Sequence, residues 1–122
     1  MNKSLPVDHF MKIHVVKVDD DSTVEEAEEK MREHDIHKIL VTDDEVPKYI
    51  ISDWKLWGLE KSEKIKKFTE DFEEVCVVAS GTIMTAIYPM LKEKSAVVVQ
   101  DVKREKILGI LTASDLVRNT PT

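Results

Sequence analysis

The stretch "GILTASD", residues 109–115, ends an apolar segment with three small residues that carry side-chain oxygens: Thr112, Ser114 and Asp115. Two explanations fit these residue types. Thr, Ser and Asp cap helices, because their oxygens satisfy N–H groups of the first turn that have no partner within the helix. The same oxygens also suit a ligand that carries hydroxyl groups. The stretch alone leaves both explanations open.

The pattern around this stretch occurs twice in the chain. "KYIISDWKLW" (48–57) and "LGILTASDLV" (108–117) are both an apolar strand, then Ser or Thr, then a short helical segment. Ser52 and Thr112 are 112 − 52 = 60 residues apart. The same offset aligns apolar residues that form one stripe on a helix, namely Val24, Ala27 and Met31 with Met84, Ile87 and Leu91.

Each copy therefore predicts the order strand, helix, strand, strand, helix, which makes the fold class mixed α+β with a tandem β-α-β-β-α repeat. In the first copy we expect a strand over 13–18 and a helix over 23–33. Ser22 is the expected N-cap, and Glu25 completes the spacing of a capping box. In the second copy we expect the helix to start near Thr82.

The second half of the first copy predicts a hairpin and then a linker. Strands over 38–42 and 49–52 flank the polar turn "DDEVPK" (43–48). The next stretch is polar with spaced apolar residues and is expected to be an amphipathic linker that packs on the body. The predicted boundaries are repeat 1 over 7–58, the linker over 59–72 and repeat 2 over 73–118.

Composition narrows the possible functions. The chain has 122 residues and a net charge of −6, which argues against a nucleic-acid partner, because nucleic-acid binders usually carry a basic stripe. Cys76 is the only cysteine, so disulfide frameworks and cysteine-based zinc sites are excluded. No signal peptide is visible at the N-terminus, and we expect a cytoplasmic location.

One uncharged stretch needs separate attention. No charged residue occurs over 75–91, but a membrane-spanning helix needs about 20 apolar residues. Ser80, Gly81 and Thr82 interrupt the stretch, and Pro89 would disturb a single helix. We therefore predict a buried strand, a turn and a helix, and no membrane association.

With these repeats in place, the sequence resembles a pair of cystathionine-β-synthase (CBS) domains, also called a Bateman module. The resemblance runs from about Val7 to Arg118, and its strongest motif is Gly-apolar-x-Thr-x-x-Asp, met by Gly109, Ile110, Thr112 and Asp115. The resemblance implies a regulatory module that binds AMP, ADP, ATP or S-adenosylmethionine in a cleft between the repeats.

The resemblance also assigns residues to this ligand site. Asp115, with Thr112 and Ser114 beside it, is expected to bind the ribose hydroxyls, since a carboxylate accepts charge-assisted hydrogen bonds. Val15 and Val16 are expected to contact the adenine. Gly109 and Ile110 belong to the predicted site as residues of the motif. His37 and Lys38 are expected near the phosphates. These nine residues form the predicted ligand site.

The second cleft departs from the family pattern. Tyr49 and Lys55 stand where the other copy has Gly109 and Asp115, and only Ser52 is retained. Ser95 and Ala96 replace the basic pair. We therefore expect an empty or altered second cleft and one nucleotide per chain.

The remaining predictions concern catalysis and partners. No nucleophile with a neighbouring base is visible, so we expect no catalytic residue, and His34 and His37 are expected to be surface histidines and not a metal pair.

Trp54 and Trp57 are three residues apart and suit either an interface or a core cover. By resemblance we expect a homodimer and an unidentified regulated protein. The alternative function is a non-catalytic assembly module with vestigial clefts.

Overall fold

Two compact units make up the computed structural model, which describes residues 4–119. One unit is Val16–Glu74. The other combines the described residues up to Val15 with those from Val75 onward. Each unit has its own sheet and helices, so the predicted α+β class is confirmed. The repeat boundaries at 7–58 and 73–118 stay predictions, and the compact units divide the chain elsewhere.

The elements of the unit Val16–Glu74 are β1 (Lys17–Asp19), α1 (Val24–His34), β2 (Lys38–Asp43), β3 (Val46–Ser52), 3-10 helices at Asp53–Leu56 and Ile65–Asp71, and β4 (Glu73–Glu74). The strands form a four-stranded sheet in the order β1-β2-β3-β4. β1 and β2 are parallel, because α1 carries the chain across between them, and the other pairs are antiparallel.

The first helix begins one residue later than predicted. Its N-cap is Thr23, whose hydroxyl accepts the Glu26 N–H at 3.1 Å while the Glu26 carboxylate accepts the Thr23 N–H at 3.3 Å. The predicted pair, Ser22 and Glu25, has the same spacing. Ser22 instead belongs to the preceding turn, where its N–H bonds the Asp19 carbonyl. A capping box is therefore present, but it lies one residue later in the sequence than predicted.

The first strand and the hairpin turn are both shorter than predicted. β1 begins at Lys17, because the residues before Val16 belong to the other unit. The turn is confined to Asp44 and Glu45, whose φ angles of 49° and 71° are typical of a two-residue hairpin turn. Pro47, expected in the turn, therefore lies in β3 beside a register shift.

The predicted linker packs on the core of this unit. Ile65 is fully buried, Phe72 is nearly so, and Leu59 and Phe68 are partly buried against the same cluster. That cluster is formed by α1 and the sheet, through residues that include Val24, Ala27, Met31, Ile39, Val41 and Ile51.

The elements of the other unit are a 3-10 helix at Val7–His9, β5 (Cys76–Ala79), α2 (Met84–Glu93), β6 (Val97–Gln100), β7 (Ile107–Leu111) and α3 (Ala113–Asn119). The strands form a three-stranded sheet in the order β5-β6-β7. β5 is parallel to β6, and β7 is antiparallel to β6. From β5 onward, the secondary-structure elements follow the same order as those of the first unit from β1 to the helical segment after β3.

The N-terminal segment is part of this unit's core. Val7 is fully buried, and its N–H donates to the Thr82 carbonyl at 2.7 Å. α2 begins at Met84, two residues after Thr82, near which it was predicted to start. Its N-cap side chain, from Ile83, makes no hydrogen bond, so the Leu5 carbonyl accepts the Met84 N–H at 3.0 Å.

Two features bear on the uncharged stretch over 75–91. It forms a strand, a turn and a helix, as predicted. Pro89 lies inside α2, so the proline removes one backbone donor without ending the helix. Within residues 4–119, no helix has both the length and the apolarity needed to cross a membrane.

Candidate functional site

Asp115 is a buried carboxylate fixed at the start of α3. Its side-chain oxygen Oδ2 accepts the Thr112 N–H at 2.9 Å and the Thr112 hydroxyl at 3.0 Å. The residue is only 2% exposed. Because Thr112 directly precedes α3, Asp115 occupies the third helical position, as Glu26 does in α1. The stretch "GILTASD" therefore does build a helix cap.

The second oxygen of this carboxylate faces a lysine from the N-terminal segment. The Lys12 Nζ atom lies 3.2 Å from Asp115 Oδ1, and the two side chains are 54% and 3% exposed. The Lys12 backbone is fixed by two hydrogen bonds with Ile110, of 2.8 and 3.0 Å. An ammonium thus compensates the buried negative charge. Sequence reasoning missed Lys12, because no local pattern links it to Asp115.

Gly109 allows the N-terminal segment to lie this close to β7. A Cβ atom at this position would overlap the Met11 side chain and lie 2.9 Å from the Lys12 carbonyl oxygen. Any larger residue would therefore push the segment away from the strand. A glycine inside an apolar strand is itself a sequence signal for such a close approach.

The other predicted residues of this unit differ in their exposure. Ile110 on β7 and Val15 are partly buried, and Ser114 in the first turn of α3 is exposed. The unit therefore brings Thr112, Asp115 and the backbone of Ile110 together with Lys12.

In the unit Val16–Glu74, His37 pairs with an acidic residue. Its Nδ1 atom lies 3.0 Å from Asp53 Oδ2, and the imidazole is 83% exposed. The hydrogen bond to Asp53 and its charge raise the pKa of His37, and the same hydrogen bond lowers the pKa of Asp53. Lys38 begins β2 with an exposed side chain, and Val16 is partly buried before β1. Asp53 was missed because nothing in the sequence singles it out.

A cavity of about 290 Å³ opens beside this pair. Its lining mixes acidic, basic and apolar side chains: Glu28, Met31, Arg32, Asp35, Ile36, His37, Asp53 and Trp57. Three of these side chains are acidic and two are basic. In the part of the chain that the structure describes, no cluster of three or more His, Cys, Asp or Glu side chains is arranged to hold a metal ion.

The segment after β3 differs from the segment after β7. Lys55 stands where the other copy has Asp115, and its Nζ atom donates to the Asp71 carbonyl at 3.0 Å and lies 5.0 Å from the centre of the Trp54 ring. A lysine cannot accept the N-cap N–H. Ser52 makes no side-chain cap bond, and only a four-residue 3-10 helix follows. No preorganised carboxylate exists at this position.

Comparison with known proteins connects this chain to one protein family. Residues 7–56 match the family model described as the CBS domain. Solved CBS-domain structures share the fold over 95% of this chain. The resemblance predicted from the repeats is confirmed.

Three solved structures illustrate this likeness. A hemolysin-like protein containing a CBS domain from Oenococcus oeni PSU is 15% identical, with a TM-score of 0.82 over 95% of this chain and 90% of that chain. The CBS domain of a bacterial CNNM/CorC family Mg²⁺ transporter in complex with ATP is 17% identical, with a TM-score of 0.79 over 95% of this chain and 87% of that chain.

The third is the cytosolic domain of the Mg²⁺ channel MgtE in complex with ATP. It is 20% identical, with a TM-score of 0.76 over 96% of this chain and 49% of that chain. Among curated protein sequences, none matches this chain well enough to count as a relative.

Proposed function

We propose that this chain is a regulatory module of the cytoplasm that binds an adenosine phosphate and changes conformation or assembly in response. Asp115 and Thr112 bind the ribose hydroxyls in this proposal. The observation that carries it is the Asp115 carboxylate: it is buried, held by Thr112 through one oxygen, and leaves the other oxygen to a half-exposed lysine.

Two further points support the proposal. A buried carboxylate is costly unless its hydrogen bonds are made, so a fixed one is well suited to recognise hydroxyl groups. Two solved relatives with the same fold are described as complexes with ATP. In this proposal the module is regulatory, and its carboxylate and lysine bind the ligand.

His37 and Lys38 keep their predicted role as phosphate ligands in this proposal. The exposed Lys38 ammonium is available to an anion. His37 is engaged by Asp53, so an incoming phosphate has to compete with that carboxylate for the imidazole. We therefore assign Lys38 a larger share of phosphate binding than His37.

The test is a binding screen of the full chain. We would measure the melting temperature and the calorimetric binding curve with AMP, ADP, ATP, adenosine and S-adenosylmethionine. A ligand at 100 times its dissociation constant should stabilise the fold by about 2.7 kcal/mol. We expect binding of adenosine phosphates with one site per chain, because Lys55 replaces the ribose-binding carboxylate in the other copy. No response to any adenosyl compound would overturn the proposal, and two equivalent sites would overturn the assignment of an altered second site.

A second candidate function is assembly. It rests on Trp54 and Trp57, which are 57% and 67% exposed, because tryptophan is enriched at protein interfaces. On this basis we propose a homodimer with a two-fold interface. Light scattering should give a mass near twice 14.0 kDa, and Trp54→Ser with Trp57→Ser should lower it. A mass of 14.0 kDa for the unmodified chain at micromolar concentration would contradict the dimer.

A further inference from the structure

The two carboxylate oxygens of Asp115 have partners that differ in how firmly they are held in place. Oδ2 is held by the N–H and hydroxyl of Thr112, which lies three residues away in the same capping turn. Oδ1 is held by the ammonium of Lys12, at the end of a long side chain that is 54% exposed. The Asp115 carboxylate is 3% exposed, so Oδ1 needs another hydrogen-bond donor whenever the ammonium turns away into solvent. Oδ1 is therefore the oxygen that a ligand can take over.

The Lys12 ammonium stays near the carboxylate even when the pair breaks. Hydrogen bonds with Ile110 fix the Lys12 backbone, and Gly109 lets this segment lie directly against β7. Only the side-chain torsions are free to change. After it leaves Oδ1, the Lys12 ammonium therefore still lies within reach of a ligand bound to Asp115, at most the length of a lysine side chain away.

We propose that Lys12 is a specificity-determining residue of this site, one that selects phosphorylated adenosyl ligands over uncharged or cationic ones. The inference rests on the proposed function. In the empty protein Lys12 neutralises Asp115. When a ligand binds, the ribose hydroxyls replace the ammonium at Oδ1, and the ammonium turns to the phosphate of the same ligand.

Charge determines which ligands gain from this exchange. Adenosine breaks the Lys12–Asp115 pair and has no anionic group that could pair with the released ammonium. AMP breaks the same pair and supplies a phosphate, with which a lysine forms a charge-assisted contact. S-adenosylmethionine carries a cationic sulfonium, which is repelled by the released ammonium. The site should therefore prefer adenosine phosphates to both of the other ligands.

Calorimetry with adenosine and AMP on the full chain tests the proposal. The quantity to compare is the ratio of the adenosine dissociation constant to the AMP dissociation constant. Lys12→Met removes the charge and keeps most of the stem, Lys12→Arg keeps the charge, and Lys103→Ala removes an exposed lysine of the same unit. Lys12→Gln is a second uncharged variant in case the methionine variant folds poorly.

We expect the ratio to fall about tenfold in both uncharged variants, to remain within about threefold in Lys12→Arg and to stay unchanged in Lys103→Ala. The tenfold figure corresponds to the loss of one hydrogen bond to a charged group. An unaltered ratio in the uncharged variants, with AMP still bound by the unmodified chain, would overturn the role of Lys12 alone. Failure of the unmodified chain to bind either ligand would instead overturn the proposed function, and the role of Lys12 with it.

Discussion

Asp115 accepts both the backbone N–H and the hydroxyl of Thr112, at 2.9 and 3.0 Å, so a residue of the family motif is also the residue that closes the cap of α3. The two explanations of "GILTASD" are therefore compatible. A carboxylate that the cap holds in one rotamer loses less side-chain freedom when a ligand binds to it. Capping can in this way prepare the residue for recognition.

The close approach at Gly109 predicts a stability effect. Gly109→Ala should destabilise the chain by about 1–3 kcal/mol, the usual cost of overpacking, because the new Cβ atom meets Met11 and the Lys12 carbonyl oxygen. Urea unfolding measures the effect. In a Met11→Ala background the contact with the backbone oxygen remains, so Gly109→Ala should still destabilise. An alanine variant as stable as the unmodified chain would contradict the described packing.

The His37–Asp53 pair predicts a pH dependence. Asp53→Asn should return the pKa of His37 toward about 6.5, its ordinary value, which imidazole titration by NMR would measure. The pKa of His37 is raised by folding, so its share of the stability is present below the unfolded value and lost as pH rises through the folded value. The pKa of Asp53 is lowered, so its share is lost as pH falls through the folded value.

The stability difference between the unmodified chain and Asp53→Asn should therefore be largest between about pH 4 and pH 6.5, where both groups are charged. It should shrink above the raised pKa of His37. Asp71→Asn, an exposed change in the same unit, serves as the control. A difference that is the same at pH 5.5 and pH 9 would show that the pair carries no charge interaction.

Lys38 predicts an effect confined to phosphorylated ligands. Lys38→Ala should weaken AMP binding by about twofold to fivefold, the effect of an exposed ion pair of up to about 1 kcal/mol. AMP binding should also become less sensitive to salt. Adenosine affinity should not change. Lys48→Ala, which removes another exposed lysine of the same unit, should affect neither ligand. Equal losses for AMP and adenosine in Lys38→Ala would exclude a phosphate contact.

The sequence predicted the parts of the fold that depend on local patterns. The apolar stripe of Val24, Ala27 and Met31 specified α1, and all three residues are buried. The capping box was displaced by one residue, because Ser22 and Thr23 each have a Glu three positions later and only the turn at Asp19 distinguishes them. β1 was predicted too long, since its apolar run continues across the boundary between two units.

The sequence predicted less of the site, because its contacts join distant segments. Asp115 was found from a motif, but Lys12 lies near the other end of the chain, and only the pairing of its backbone with Ile110 brings the two side chains together. Asp53 was missed for a similar reason: its N–H bonds the His37 carbonyl after the β2–β3 hairpin returns the chain. Neither Lys12 nor Asp53 belongs to a periodic pattern or to a motif of fixed spacing in the sequence.

In the proposed function, Asp115 binds ribose in addition to capping α3. The most direct test measures melting temperature and AMP affinity on Asp115→Ala, with Glu26→Ala as the matched control, since Glu26 has the same capping role in α1. Both changes should lower stability by about 0.5–2 kcal/mol.

Only Asp115→Ala should weaken AMP binding, by at least about tenfold, because hydrogen bonds to a charged group contribute about 1.5–3 kcal/mol each. If Asp115→Ala melts earlier and yet binds AMP as tightly as the unmodified chain, Asp115 serves only to start the helix and does not bind ribose.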